Sequence, residues 1–527
     1  MSVPLFLRCL LACLALLGSS AWALTPQQAR ALVVGEAEPR IAALNAVLAT
    51  ADDKTVALIQ AMSDDAVKFT DSAIFVMKDG KGFDPVTGAE VAVPEAAEDV
   101  INNNQMRGEL DTALASIKLF SPDNTVRAEA VKTLASEPDE NKLPMVEKAY
   151  AAEQVAAIKD ALGAVRFAIL LGSADKAKRL EAATALGATG TPATKTLLLD
   201  RQKVETEADV KAAIRLALST IEGRLAWGER LGVIFTGVSL GSILLLVALG
   251  LAITYGLMGV INMAHGELMM IGAYATYVIQ NVFRAYLPGL FDYYVLLAIP
   301  ASFLAAALVG AVLERSVIRW LYGRPLETLL ATWGISLVLQ QAVRSLFGAQ
   351  NVPVENPAWL SGGVAAMSNL TLPYNRIAII AFSVLVLVGV SLLIARTRLG
   401  LFVRGVTQNR KMAACMGVNT ARIDTYAFAL GSGIAGLAGC ALSQVGNVGP
   451  DLGQSYIVDS FMVVVLGGVG QLAGTVYAAV GLGVLNKLLE GWQGAVLAKI
   501  MVLVFIVIFI QKRPQGIFAM KGRSAEA

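Results

Sequence analysis

From Leu231 to the C-terminus the chain is a succession of apolar runs, more than the core of a soluble fold could bury. A bilayer's hydrocarbon core is about 30 Å thick, and a helix crosses it with about 20 apolar residues. Counted at that length, the runs are 233–253, 255–280, 293–313, 328–347, 377–395, 425–445, 457–470, 475–489 and 495–511. Backbone polar groups inside lipid must pair within the chain, so the expected class is all-α, a polytopic helical domain of about nine spans. The seventh and eighth runs are short and Gly-rich, which marks them as broken or half-spanning helices.

The rest of the chain narrows the function classes. Of 527 residues, 16% are charged, below the quarter usual for soluble domains, and the net charge of +2 offers no field for nucleic acid. There is one histidine, and two of the four cysteines, Cys9 and Cys13, sit in the first apolar run. A zinc site or catalytic triad built on histidines is therefore disfavoured, and no metal or cofactor is expected. No G-x-x-x-x-G-K-[ST] loop occurs, so the chain is not expected to hydrolyse ATP, or to be an enzyme of another kind.

Residues 1–23 combine Arg8, an apolar stretch over 9–17 and the small-x-small ending Ala21-Trp22-Ala23, the pattern of a secretory signal peptide. Residues 24–230 are then expected outside the cell membrane. They are polar, rich in Ala, Leu, Glu and Lys, with apolar positions at helical spacing, as in Val126, Ala130, Val131 and Leu134. RAEAVKTLA (127–135) echoes RLEAATALG (179–187), and VAAIKDAL (155–162) echoes KAAIRLAL (211–218), a repeat of a little over fifty residues. Two readings stand: a HEAT-like solenoid or an irregular helical bundle. The Gly-, Val- and Pro-rich stretch 76–94 reads as a loop or short hairpin. No catalytic constellation is visible here, so docking or scaffolding is the expected role.

Charge gives a second reading of topology. With the N-terminal domain exported, nine spans leave the C-terminus inside. The loops then inside, 314–327 and 396–424, hold Arg315, Arg319 and Arg324, and Arg396, Arg398, Arg404, Arg410, Lys411 and Arg422. The outside loops 348–375 and 446–456 carry no Lys or Arg. The positive-inside rule agrees with the leader.

Within the second run, GLMGVINMAHGELMMIGAY (256–274) places Asn262, His265 and Glu267 among apolar residues. A carboxylate at mid-bilayer costs roughly 2.5–3.5 kcal/mol on insertion scales, so Glu267 must face protein or water. Asn262 and His265 fall on one helix face at spacing three. They read either as a polar clip on a broken helix, together with Gly266, or as lining of a pathway. The dense glycines at 237–241, 431–439 and 467–474 read either as close helix packing or as helices that slide or open, with broken helices lining a path.

The Asn-x-Ala-His-Gly-Glu core, Asn262 to Glu267, resembles the signature of LivH-type permeases of ABC importers for branched-chain amino acids and related amides. The similarity extends over most of 231–522. RGVTQNRKMAACMGVN (404–419) resembles that family's cytoplasmic coupling segment, which implies contacts from Arg404, Arg410, Lys411, Met412, Ala413 and Gly417 to an ATPase. Importers generally carry Glu-Ala-Ala…Gly there; this chain has Lys411-Met412-Ala413 and keeps the glycine as Gly417. The leader and exported helical domain resemble the extended UrtB-type permeases of urea importers. The resemblance implies an inner-membrane subunit working with a homologous second permease, two cytoplasmic ABC ATPases and a periplasmic substrate-binding protein, and urea or a short amide as substrate.

Overall fold

The computed structural model describes residues 24–48, 52–78, 80–136, 140–513 and 516–518; the stretch read as a signal peptide lies outside them. The chain divides into two units, Met1–Leu225 and Ala226–Ala527.

Local signals start the first unit. Thr25 caps α1 (Pro26–Val33) through a reciprocal pair with Gln28, and Asp52 caps α3 (Asp53–Ser63) by accepting from the Thr55 N–H. Between them lies α2 (Ala37–Leu48). The chain then turns to strand, and the all-α expectation fails here. β1 (Val67–Phe69), β2 (Ile74–Lys78), β3 (Lys81–Phe83), β4 (Glu90–Val91) and β5 (Glu98–Asp99) form one antiparallel sheet in the order β4-β3-β2-β1-β5. The stretch read as a loop or short hairpin pairs antiparallel as β2–β3–β4 and forms one side of the five-stranded sheet. Gly80, at φ +78°, serves the β2–β3 turn. The outer strands are two residues each, too short for a period-two pattern, and β5 pairs with the distant β1. Val67 is buried, and Phe69, Ile74 and Val76 pack on the apolar faces of α1–α3 and of α4 (Asn104–Lys118).

The fifty-residue echo is a three-helix unit, not the helix pair of a HEAT repeat. α5 (Asn124–Ser136), α6 (Leu143–Ala152) and α7 (Ala156–Leu170) are followed by α8 (Lys176–Thr189), α9 (Pro192–Val204) and the first turns of α10 (Ala208–Met258). The same fork closes both units. Arg127 Nε donates to Glu153 Oε2 at 2.8 Å and its Nη1 to the Ser121 carbonyl at 2.8 Å. Arg179 Nε donates to Glu205 Oε2 at 3.0 Å and its Nη1 to the Ser173 carbonyl at 3.0 Å. Each carboxylate also accepts the next two backbone N–H groups, from Gln154 and Val155 or from Thr206 and Glu207. Arginine's planar fork suits this bidentate seat.

The second unit contains the later turns of α10, then α11 (His265–Tyr286), α12 (Tyr294–Ser316), α13 (Pro325–Phe347), the hairpin β6 (Gly363–Met367) and β7 (Leu370–Pro373), and α14 (Tyr374–Arg396). It continues through α15 (Arg398–Gln408), α16 (Arg410–Cys415), α17 (Thr420–Ser443), α18 (Leu452–Gly467), α19 (Leu472–Gln493) and α20 (Ala495–Lys512). Six helices among the described residues are long and apolar enough to cross a membrane: Ala208–Gly256, Pro288–Trp320, Tyr374–Arg396, Thr420–Ser443, Leu472–Gln493 and Ala495–Lys512. α18 is apolar but has only 16 residues. α11 and α13 are long enough but carry the polar groups described below. The second apolar run is not one helix. It breaks between Met258 and His265, so its first residues end α10 and the rest begin α11.

Glycine decides how these helices meet. A Cβ on Gly272 of α11 would lie 2.2 Å from the Gly436 carbonyl oxygen of α17, and one on Gly439 would lie 2.0 Å from the Met269 oxygen. Backbone touches backbone along this seam, as close helix packing in lipid requires.

Candidate functional site

The break is built from residues of the motif. Gly259 takes φ +64°, which ends α10, and its N–H reaches the Tyr255 carbonyl at 2.9 Å. The non-helical stretch that follows finds its partners inside the protein. Met263 N–H donates to Thr332 Oγ1 at 3.2 Å, while that hydroxyl donates to the Thr328 carbonyl of its own helix at 2.8 Å. Asn262 Oδ1 accepts the Ala264 N–H at 3.0 Å and so organises the entry to α11. Asn262 therefore sits outside the helix and shares no helical face with His265; the spacing argument assumed a continuous helix.

His265 is fully buried at the first position of α11, and its Nε2 lies 3.2 Å from the Val247 carbonyl of α10. That contact makes Nε2 the donor and ties α10 to α11. A Cβ on Gly250 would come within 3.0 Å of the ring, so glycine there makes room for it. Gly266 lies against α18, where a Cβ would stand 2.5 Å from the Gly453 oxygen.

Glu267 is 1% exposed. Its Oε1 accepts from Ser336 Oγ at 2.7 Å and from Gln340 Nε2 at 2.8 Å, both on α13. Its Oε2 is buried with no partner. The α13 residues belong to a stripe: Thr328, Thr332, Ser336, Gln340 and Arg344 recur every fourth position along one face. The first four are buried, while Leu326, Leu330, Trp333 and Val338 of the same helix are exposed apolar residues. The seam extends to Tyr274 of α11, whose ring centroid is 4.7 Å from that of Phe347. Ser336 and Gln340 escaped the sequence reading, which followed the motif and not its partner. The four-residue polar period in an apolar run was the available signal.

The basic loop forms two short helices. Thr397 caps α15 by accepting the Gly400 N–H, and Asn409 caps α16 by accepting the Met412 N–H at 2.9 Å. Val403 and Val406 of α15 face inward, and Arg404 donates to the Gly400 carbonyl at 3.3 Å. α16 ends in a Schellman turn. The Val418 N–H bonds the Ala413 carbonyl at 3.1 Å, and the Gly417 N–H bonds that of Ala414 at 3.0 Å. Gly417 sits at φ +84°, where a side chain is strained, yet the space before it is open. Ala413 is buried; Lys411, Met412 and Met416 are exposed.

Arg410 links this loop to the helices behind it. It pairs with the buried Asp424 at the start of α17, and its guanidinium lies 5.0 Å from the Tyr322 ring centroid. The Tyr322 hydroxyl donates to Glu314 Oε1 at 2.9 Å, and Thr425 Oγ1 donates to Glu314 Oε2 at 2.6 Å. Glu314, Tyr322 and Asp424 were not singled out from the sequence, because they become neighbours only when α12 and α17 pack together.

A separate cavity of about 180 Å3 lies among Ile299, Leu360, Asn375, Phe382 and Gln444, with mainly apolar walls. Among the described residues no group of His, Cys, Asp and Glu side chains could hold a metal ion.

Residues 233–510 match the family described as branched-chain amino acid transport system, permease component. The high-affinity branched-chain amino acid transport system permease protein BraD of Pseudomonas aeruginosa is 29% identical over 285 residues, 53% of this chain and 93% of BraD. LivH of Escherichia coli is 29% identical over 293 residues, 54% of this chain and 93% of its own length. A probable LivH of Methanocaldococcus jannaschii is 24% identical over 296 residues, 52% of this chain and 88% of that protein. No solved structure matches.

Proposed function

This chain belongs to the family of branched-chain amino acid transport permeases, and from that premise we propose that it is a membrane subunit of an ABC importer that carries urea or a short amide into the cytoplasm. The observation that carries the transport reading is the polar seam around Glu267, held inside helices that are otherwise apolar. A buried carboxylate in such a setting is costly and marks a pathway. In this reading a substrate-binding protein delivers cargo outside, a homologous second permease completes the path, and two cytoplasmic ATPases drive the change of access. ATP and loaded binding protein must favour different access states, or nothing moves.

The loop 404–419 is assigned to the ATPase contact. Its exposed Met412 and Met416, the open space at Gly417 and the tie from Arg410 to Asp424 suit a docking surface anchored to the core. The N-terminal unit is assigned to the periplasm and the C-terminus to the cytoplasm, on the leader and the positive-inside count. The urea assignment rests on the architecture of a leader and helical domain before the permease. The branched-chain amino acid reading is supported by BraD and LivH, whose names state that cargo.

Uptake of labelled urea and labelled leucine by cells with and without this chain separates the two. Loss of energy-dependent urea uptake with leucine spared supports the first; loss of leucine uptake alone replaces it with the second. A further test addresses the loop. Gly417→Val forces a β-branched residue into left-handed backbone at a cost of about 1–2 kcal/mol. Uptake should fall roughly tenfold, the ratio that about 1.4 kcal/mol commands, with membrane insertion unchanged. Normal uptake would remove this loop from the coupling path.

A further inference from the structure

We infer that Glu267, Ser336 and Gln340 form a substrate seat for small uncharged amides rich in N–H donors; this rests on the permease reading above and gives it a site.

The geometry begins with register. Met263 contacts Thr332, Glu267 contacts Ser336 and Gln340, and Tyr274 stacks near Phe347. Contacts that advance together along both sequences make α11 and α13 parallel neighbours sharing one continuous seam. Membrane helices alternate in direction, and the second and fourth apolar runs are expected to run the same way. The seam is polar on the α13 side from Thr328 to Gln340 and meets Glu267 of α11; beyond it Met270 and Tyr274 pack on Val343 and Phe347, and the outer face of α13 is apolar.

The donor and acceptor count then selects the ligand. A carboxylate offers two oxygens with about four acceptor positions. Oε1 is occupied by two donors from α13, and Oε2, equally buried, has none. A buried acceptor left unfilled is costly, and a ligand N–H is the group that fills it. The Tyr274 hydroxyl, two helical turns along the same face, is likewise buried without a partner. It can donate to a ligand carbonyl. An amide or urea presents N–H groups on one side, which suit Oε2, and a C=O on the other.

The charge inventory of the seam disfavours a free amino acid. Its carboxylate would need a cation, and the seam residues Thr332, Ser336, Gln340 and Tyr274 are all uncharged. Arg344, one turn past Gln340, keeps a buried Nε without a partner, but its charge is balanced by Asp451 at 2.5 Å, so the seam with Glu267 has no excess of positive charge. Glu267 itself would repel a carboxylate.

The test uses the complete importer in vesicles, with uptake of urea, acetamide and leucine measured at saturating substrate and the amount of this chain checked by immunoblot. Glu267→Gln should lower urea uptake tenfold or more and shift the ratio of urea to acetamide rates. Ser336→Ala should lower it several-fold and covers the case in which Glu267→Gln fails to accumulate. Gln341→Ala, exposed one residue off the stripe, should transport normally. Urea uptake by the unaltered chain, with both seam variants within twofold of it, would overturn the seat and leave the urea reading intact. No urea or acetamide uptake by the unaltered chain, with leucine carried instead, would overturn the urea reading and the seat's ligand class together.

Discussion

Gly272→Val should leave almost no chain in the membrane. The position has no spare volume: the added Cβ would lie 2.2 Å from the Gly436 oxygen and 2.4 Å from its Cα. Overpacking a core costs typically about 1–3 kcal/mol when side chains can move aside. Here the obstacle is the backbone of α17, so α11 and α17 would have to part along the whole seam, including Gly439 against Met269. The loss should exceed that range. Membrane-fraction immunoblots and thermal aggregation in detergent measure it. Gly389→Val on α14, where nothing lies within 4 Å, is the matched control and should accumulate normally. Normal accumulation of Gly272→Val would mean that the helices do not approach this closely.

Glu205→Ala should unfold the second three-helix unit of the N-terminal region. The side chains of Arg179 and Glu205 are 9% and 1% exposed, and removing the acid strands a buried guanidinium. Breaking a buried pair in this way costs about 3–5 kcal/mol. The same forks make the region acid-sensitive. For Glu153, the Arg127 guanidinium and the Val155 N–H hold the carboxyl at about 2, against an ordinary 4.5. For Glu205, burial pushes upward, but the Glu207 N–H and Arg179 outweigh it and the carboxyl also falls to about 2. A depressed carboxyl stabilises the fold fully above its ordinary value, and the contribution is lost as pH falls from 4.5 toward 2. Hydrogen exchange over residues 124–222 of the full chain should therefore accelerate across that window. Glu205→Gln should exchange faster at neutral pH and show a flatter acid response. Equal protection in both chains at pH 7 would show that the fork carries little stability.

These two tests address features that the sequence exposed to different degrees. Glycine density at 431–439 announced close packing, since glycine in lipid has few other uses. Which backbone each glycine meets depends on how α11, α12 and α17 cross, and that is a property of the bundle. The fork was half legible. RAEAVKTLA and RLEAATALG repeat the arginine, but Glu153 and Glu205 lie outside the echoed strings, at the ends of the second helices, and meet it only when each second helix folds back on the first.

Read along the chain alone, the residues already divide it into a polar N-terminal region and an apolar second half, place most helices of that half, and mark the motif from Asn262 to Glu267. Composition and periodicity are local quantities, and lipid and water sort chains by them. The tertiary structure decided the rest. It broke the run at Gly259, because an apolar stretch reads the same in a helix or a turn, and Thr332 from another helix and Asn262 supply partners that make the turn tolerable. It closed a five-stranded sheet by pairing the two-residue β5 with β1, some thirty residues earlier, at Lys68–Asp99 and Phe69–Glu98. It also gave Glu267 its two donors and left one oxygen unfilled, because hydrogen bonds between α11 and α13 depend on distance in space and leave no trace in sequence spacing.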